Sequence, residues 1–173
     1  SSGWPVGRAF EVQWVDLEEP VPEKDTLRDE AHAEGAARFE REEGIWAGGD
    51  RVWFDCTDGG REGLGQVWEY DTRRERLTLI YESPGKRSLS HPDNLVLMPH
   101  GGLLLCEDTD PPQYIRGLTR DGGIYDFARA VGYDSEFCGA TFGPDGRTLF
   151  VNQQGDRSEG TAVTYAIWGP WTE

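Results

Sequence analysis

Apolar and polar positions alternate in short runs along most of this chain, and a turn separates each run from the next. The pattern is plainest at residues 136–154, EFCGATFGPDGRTLFVNQQ. An acidic residue opens an apolar run, a Gly/Pro/Asp turn follows, and a second apolar run ends in polar side chains. The same arrangement starts at Asp93 (DNLVLMPHGGLLLCED) and at Glu43 (EGIWAGGDRVWFDCTD). The gaps between the acidic starts at 43, 93 and 136 are 50 and 43 residues. A repeat of that length built from short strands is the signature of β-propeller blades.

The period-two signal predicts four strands in a first blade, residues 43–83, and four in a second, 93–128. A third blade, 136–171, shows three and lacks a recognisable fourth. The runs at 95–98 and 103–106 are apolar without alternation, as expected of strands covered on both faces. Ahead of the blades, residues 8–40 hold a predicted strand and one short helix. In FEVQWVDL (10–17), Phe10, Val12 and Trp14 share a side. The Ala-, Glu- and Arg-rich stretch 25–40 reads as a helix capped by Asp25, with a thin apolar face and Gly35 weakening it. The fold class is therefore all-β: one partial propeller domain over 1–173, about three blades. Propellers close with about four to eight blades, so the expected ring is completed by a missing N-terminal propeller half or by another chain.

Composition narrows the function. A formal net charge of −15 argues against a nucleic-acid or anionic-membrane surface. No apolar run is long enough to span a membrane. The three cysteines form no CxxC pair, and the first residues do not make a signal peptide. His32, His91 and His100 have no metal spacing, and His91 reads as a turn residue. GGREGLG (59–65) is not followed by GK[ST], so it is no phosphate loop. EDTD (107–110) lacks the glycine and closing Glu of an EF-hand. Lys86 and Arg87 read as loop charges.

The acidic strand starts carry the chemistry. In a propeller the innermost strands line a central channel, which brings together Glu43, Asp93 or Asn94, and Glu136. Near them the second strands end in Asp58, Glu107, Asp108, Asn152 and Gln153. For any one of these residues, capping a turn is the simpler account. For three acids at equivalent places in a repeat, a shared cation is the better one, and all-oxygen donors suit Ca²⁺, Mg²⁺, Mn²⁺ or ferric iron.

Several blocks, in order, resemble the C-terminal half of the PhoX-type alkaline phosphatases: FEREEGIW, CTDGGREGLGQVWEYD, PDNLVLMPHGGLLLCED, YIRGLTRDGGIYDFARA, EFCGATFGPDGRTLFVNQQ and YAIWGPW. The resemblance implies a six-bladed propeller enzyme, periplasmic or secreted. Its implied activity is hydrolysis of phosphate monoesters with calcium and iron in the channel. It also implies Glu43, Glu107 and Glu136 as metal ligands and Asn94 as a further metal or phosphate contact; the repeat adds Asp93 and Asp108 as candidate metal or substrate contacts. A metal-binding cysteine belongs to the family's N-terminal half, so Cys106 reads instead as a buried strand residue. This chain alone is then expected to be inactive. The rival readings are a calcium-dependent lactonase-like propeller and a non-catalytic propeller scaffold.

Overall fold

The structure is a computed structural model. It describes residues 3–132, 135–155 and 160–171. The domain reading over 1–173 also includes residues 1–2, 133–134, 156–159 and 172–173, which lie outside the described residues.

Twelve strands and one helix follow in order: β1 (Ala9–Glu11), α1 (Leu27–Ala33), β2 (Glu42–Gly48), β3 (Arg51–Cys56), β4 (Gln66–Asp71), β5 (Arg76–Glu82), β6 (Pro92–Leu97), β7 (Leu103–Glu107), β8 (Tyr114–Leu118), β9 (Ile124–Arg129), β10 (Phe137–Phe142), β11 (Thr148–Gln153) and β12 (Val163–Trp168). They form three antiparallel sheets. The first is ordered β1-β5-β4-β3-β2, the second β6-β7-β8-β9, and the third β10-β11-β12. Within each sheet sequence neighbours pair, except that β1 adds to the outer edge of β5. The all-β expectation therefore holds, and the three strand groups fall where the repeat puts them. The sheets lie side by side, with β2 against β6 and β6 against β10, and they do not close on one another.

Two apolar layers fix that arrangement. Leu95, Leu103, Leu105 and Leu118 of the second sheet pack with Val67 of the first. Val96, Leu104, Cys106 and Ile115, on the opposite face, pack with Phe137, Ala140, Leu149 and Val151 of the third. Odd and even positions of β6 and β7 thus face different neighbours, which is why those strands carry no polar alternation. A third layer, Cys56, Trp68 and Leu79, lies on the far face of the first sheet. Phe39 covers it, meeting Phe54 and Trp68 edge-on at 5.3 and 5.4 Å.

The N-terminal elements are shorter than their patterns suggest. β1 is three residues long because it pairs along the outer edge of β5, from Thr78 to Arg76, and its partner ends there. Trp14, expected within that strand, instead stands edge-on to Tyr70. Helix α1 spans seven residues, not sixteen. Gly35 turns left-handed (φ 91°), and the amides of Gly35 and Ala36 fold back onto His32 and Ala31, which stops the helix. Thr26 is the cap position, but its hydroxyl donates back to the Lys24 carbonyl and does not cap the helix, while Asp25 pairs with Arg28 at 3.0 Å. No residue of α1 is buried, so the helix does not close the end of a sheet. Phe39, beyond it, supplies the packing.

Candidate functional site

Strands β2, β6 and β10 each carry an irregularity, near the start in β2 and β6 and mid-strand in β10. On β2, Glu43 and Gly44 together face the single residue Asp55 of β3. On β6, Asp93 is an extra residue between the pairs Pro92–Glu107 and Asn94–Cys106. On β10, Gly139 and Ala140 together face Val151. An inserted residue bends a strand and re-aims the side chain beside it. Glu43 and Asp93 lie in the first two insertions, whereas Glu136 precedes β10 and stands ahead of the third.

The strand starts are held tightly together. Gly44 has no side chain because none fits: a Cβ there would lie 2.8 Å from the Leu95 amide and 2.9 Å from the Asn94 Cα. Its own N–H donates to Asp55 Oδ1 at 3.0 Å. Asn94 Oδ1 accepts the Ala140 amide at 3.0 Å, joining the second sheet to the third. Thr57 Oγ1 donates to the Pro92 carbonyl at 2.8 Å, joining the first to the second.

Carboxylates from all three sheets then converge. Asp93 and Glu136 share a hydrogen bond. Burial, with the charges of Asp108 and Asp93, pushes Glu136 up to about 7. Burial and the Glu43 charge push Asp93 up as well, against the hydrogen bond from Glu136. Asp55 rises to about 7, chiefly by burial, with the Gly44 amide opposing and the charges of Asp93 and Glu43 adding. Crowded carboxylates of this kind hold a proton near neutrality unless a cation takes its place. Among the described residues, Arg41 brings a cation to them: its Nη2 donates to Glu43 at 3.3 Å, and Nη1 lies 3.6 Å from Asp58.

Of the residues the sequence singled out, Glu43, Asp93, Asp108 and Glu136 act on one another. Asn94 lies among them, but its side-chain oxygen is used between β6 and β10. Glu107 does not join them. It is buried one residue before Asp108, accepting from the Ser90 amide at 2.9 Å and Arg116 Nε at 2.8 Å. It faces a separate pocket of about 340 Å³ that also takes in Lys86, Arg87 and Tyr114. At the third sheet, Asn152 and Gln153 bind within their own sheet and its approach, to Cys138, Thr164, Ser135 and Tyr165. Burial pushes the Cys56 and Cys106 thiols up to about 12, leaving both as uncharged core residues. Among the described residues, no three His, Cys, Asp or Glu side chains stand close enough to hold a metal ion by themselves. Sequence reasoning passed over Arg41, Asp55 and the approach of His91 to Asp58. Arg41 carries a readable signal, a lone base two residues before a strand-start acid. Asp55, inside an apolar strand, carries none.

Carboxylates brought together from three sheets, with Arg41 beside them, define an all-β protein with an acidic centre. The family model for alkaline phosphatase PhoX matches residues 7–156, and the chain belongs to that family. The family is generally metal-dependent, and membership supports a phosphatase-like function. No curated protein matches the chain. Among solved structures it is similar to the crystal structure of the tricorn protease, at 17% identity and a TM-score of 0.52. That match covers 75% of this chain and 12% of the other, and it speaks for the fold alone. Among the described residues, no helix is long and apolar enough to cross a membrane.

Proposed function

We propose that this chain supplies the carboxylate side of a phosphate monoesterase site, with metal held by Glu43, Asp93 and Glu136 at the channel end of β-propeller blades. The mutual approach of Glu43, Asp93, Asp108 and Glu136, from three sheets, carries this reading. Family membership supports the reaction class.

By chemistry the donors suit the cofactors the resemblance implies, but among the described residues they do not stand close enough together to hold an ion by themselves, so the cage needs donors from the remaining blades. The donor set is all oxygen, which suits calcium and also ferric iron. Its raised acidities are what a cation at that place would relieve. Metal bound there would supply Lewis-acid polarisation of the phosphoryl group. The chain's own residues do the rest. The Arg41 guanidinium matches phosphate oxygens as a planar pair of donors. Asn94 and Gly44 hold β2, β6 and β10 in register, so the carboxylates keep their spacing. Glu136, held up to about 7 by burial and its acidic neighbours, gives up its proton when a cation binds, so metal affinity climbs as pH rises toward and past about 7. The remaining blades, and the donors that complete the cage, belong to the same proposal. The lactonase-like and scaffold readings gain nothing from the family match.

The test is p-nitrophenyl phosphate turnover by the whole protein before and after chelation. Chelation is expected to abolish turnover and calcium to restore it. Glu136→Gln and Asp93→Asn are each expected to lower it roughly a hundredfold. Unchanged turnover in both variants would remove the reading.

A further inference from the structure

Among the described residues, three non-glycine residues have left-handed backbones: Arg41 (φ 53°), Glu75 (φ 50°) and His91 (φ 51°). Glu75 sits in the tight turn between β4 and β5, where such a conformation closes a hairpin. Arg41 and His91 close no hairpin. They stand just before β2 and β6, and the backbone pins both in place. The Arg41 carbonyl accepts the Thr57 amide at 2.8 Å. The His91 amide donates to Leu64 at 2.9 Å, and its carbonyl accepts from Asp108 at 2.8 Å. Unfavourable dihedrals of this kind persist only where the surroundings over-determine them, and they cluster at functional sites.

The strained backbones aim both side chains at Asp58. Arg41 Nη1 lies 3.6 Å from Oδ2, and His91 Nε2 lies 3.8 Å from Oδ1. Behind the imidazole, Nδ1 is 3.0 Å from Ser90 Oγ, which is 3.0 Å from Thr109 Oγ1. A polar line thus runs from the loop after β7, through Ser90, His91 and Asp58, to Arg41 and the acidic centre. We infer that His91 is a positioning residue for phosphate binding, acting through Asp58 to hold the Arg41 guanidinium where a phosphoryl group arrives. The inference rests on the phosphatase reading and deepens it.

Arg41 needs such a hold. Its side chain is 51% exposed, and its nearest partner, Glu43, draws it toward a carboxylate that the proposal assigns to metal. Asp58 offers a second anchor on the far side, but at 42% exposure it is free to turn unless something braces it. The imidazole is that brace. Fixing the guanidinium during folding removes an ordering cost from substrate binding.

His91→Gly separates this role from a merely structural one. Glycine adopts φ near 50° without strain, so the backbone stays and only the imidazole goes. In the whole protein, Tm is expected to hold or rise. KM for p-nitrophenyl phosphate and Ki for inorganic phosphate are expected to rise together, about three- to fivefold, with kcat within twofold, the scale of an exposed ion pair. Asp58→Asn is expected to do the same, and the double variant no more than either. Glu75→Gly, which relieves the same kind of strain elsewhere, leaves KM and Ki unchanged. Wild-type KM and Ki in His91→Gly, with both raised in Arg41→Gln, would overturn the inference and leave the phosphatase reading standing. A fall in Tm with KM unmoved would mark His91 as scaffold and overturn it too. Wild-type Ki in Arg41→Gln would remove the reading, and the inference with it.

Discussion

Asp55 is 0% exposed, yet among the described residues only one of its oxygens has a partner: Oδ1 takes the Gly44 amide, and Oδ2 has none. The folded protein therefore resists ionising it, and its acidity moves from 3.8 to about 7. The sign follows from proton linkage. The folded state binds the proton more tightly than the unfolded state, so stability falls as pH rises from about 4 to 7. The penalty is absent below that window and complete above it. Asp55→Asn keeps the acceptor for Gly44 and removes the charge. In chelator at pH 8 it is expected to be more stable than wild type by on the order of 2–4 kcal/mol. That corresponds to a Tm roughly 5–10 °C higher, with the gap closing by pH 4. Thermal melts across that range check it. The sequence points to Glu43, Asp93 and Glu136 because a repeat puts them in equivalent places. It does not separate Glu107 from Asp108. Their assignment turns on the single inserted residue at Asp93 and on a partner, Arg116, that lies nine positions downstream.

At the scale of elements, the most exacting contact is between β2 and β6. Gly44→Ala puts a methyl group against the backbone of Asn94 and Leu95, neither of which is the yielding end of a side chain. The two strands must part. The expected cost is about 1–3 kcal/mol in urea unfolding, with metal affinity falling because Glu43 and Asp93 no longer keep their spacing. A variant as stable as wild type would show that the sheets slide freely. Strand order was legible because apolar periodicity and turn chemistry agree at each hairpin, as at Gly143–Gly146. The N-terminal elements were not. The alternation in FEVQWVDL reflects Phe10 and Trp14 lying on aromatic neighbours, and β5 offers pairing for three residues only. The helical composition of 25–40 continues past Gly35, but the backbone does not.

For the whole molecule, the end sheets matter most. Ile45 on β2 is 67% exposed and Trp168 on β12 is 73% exposed, so the first and third sheets each leave apolar surface uncovered. The 19.4 kDa chain is expected to bind an apolar dye and to elute above its mass in size exclusion, and Ile45→Ser with Trp168→Ser to reduce both. Dye binding equal in the double variant would show that the uncovered surface lies elsewhere. The repeat made the sheet succession legible, whereas ring closure is a matter of surfaces that composition does not report. The inserted residues in β2, β6 and β10 have one more consequence. Each inner strand runs in two phases, a body timed to the layers on either side and a rim one beat out of step with it. Exchanging the acids Glu43, Asp93 or Glu136 leaves the body's timing untouched. A lineage is thus free to exchange the acids for other donors, and so to change ion or substrate, without recomposing the interior that folds the chain.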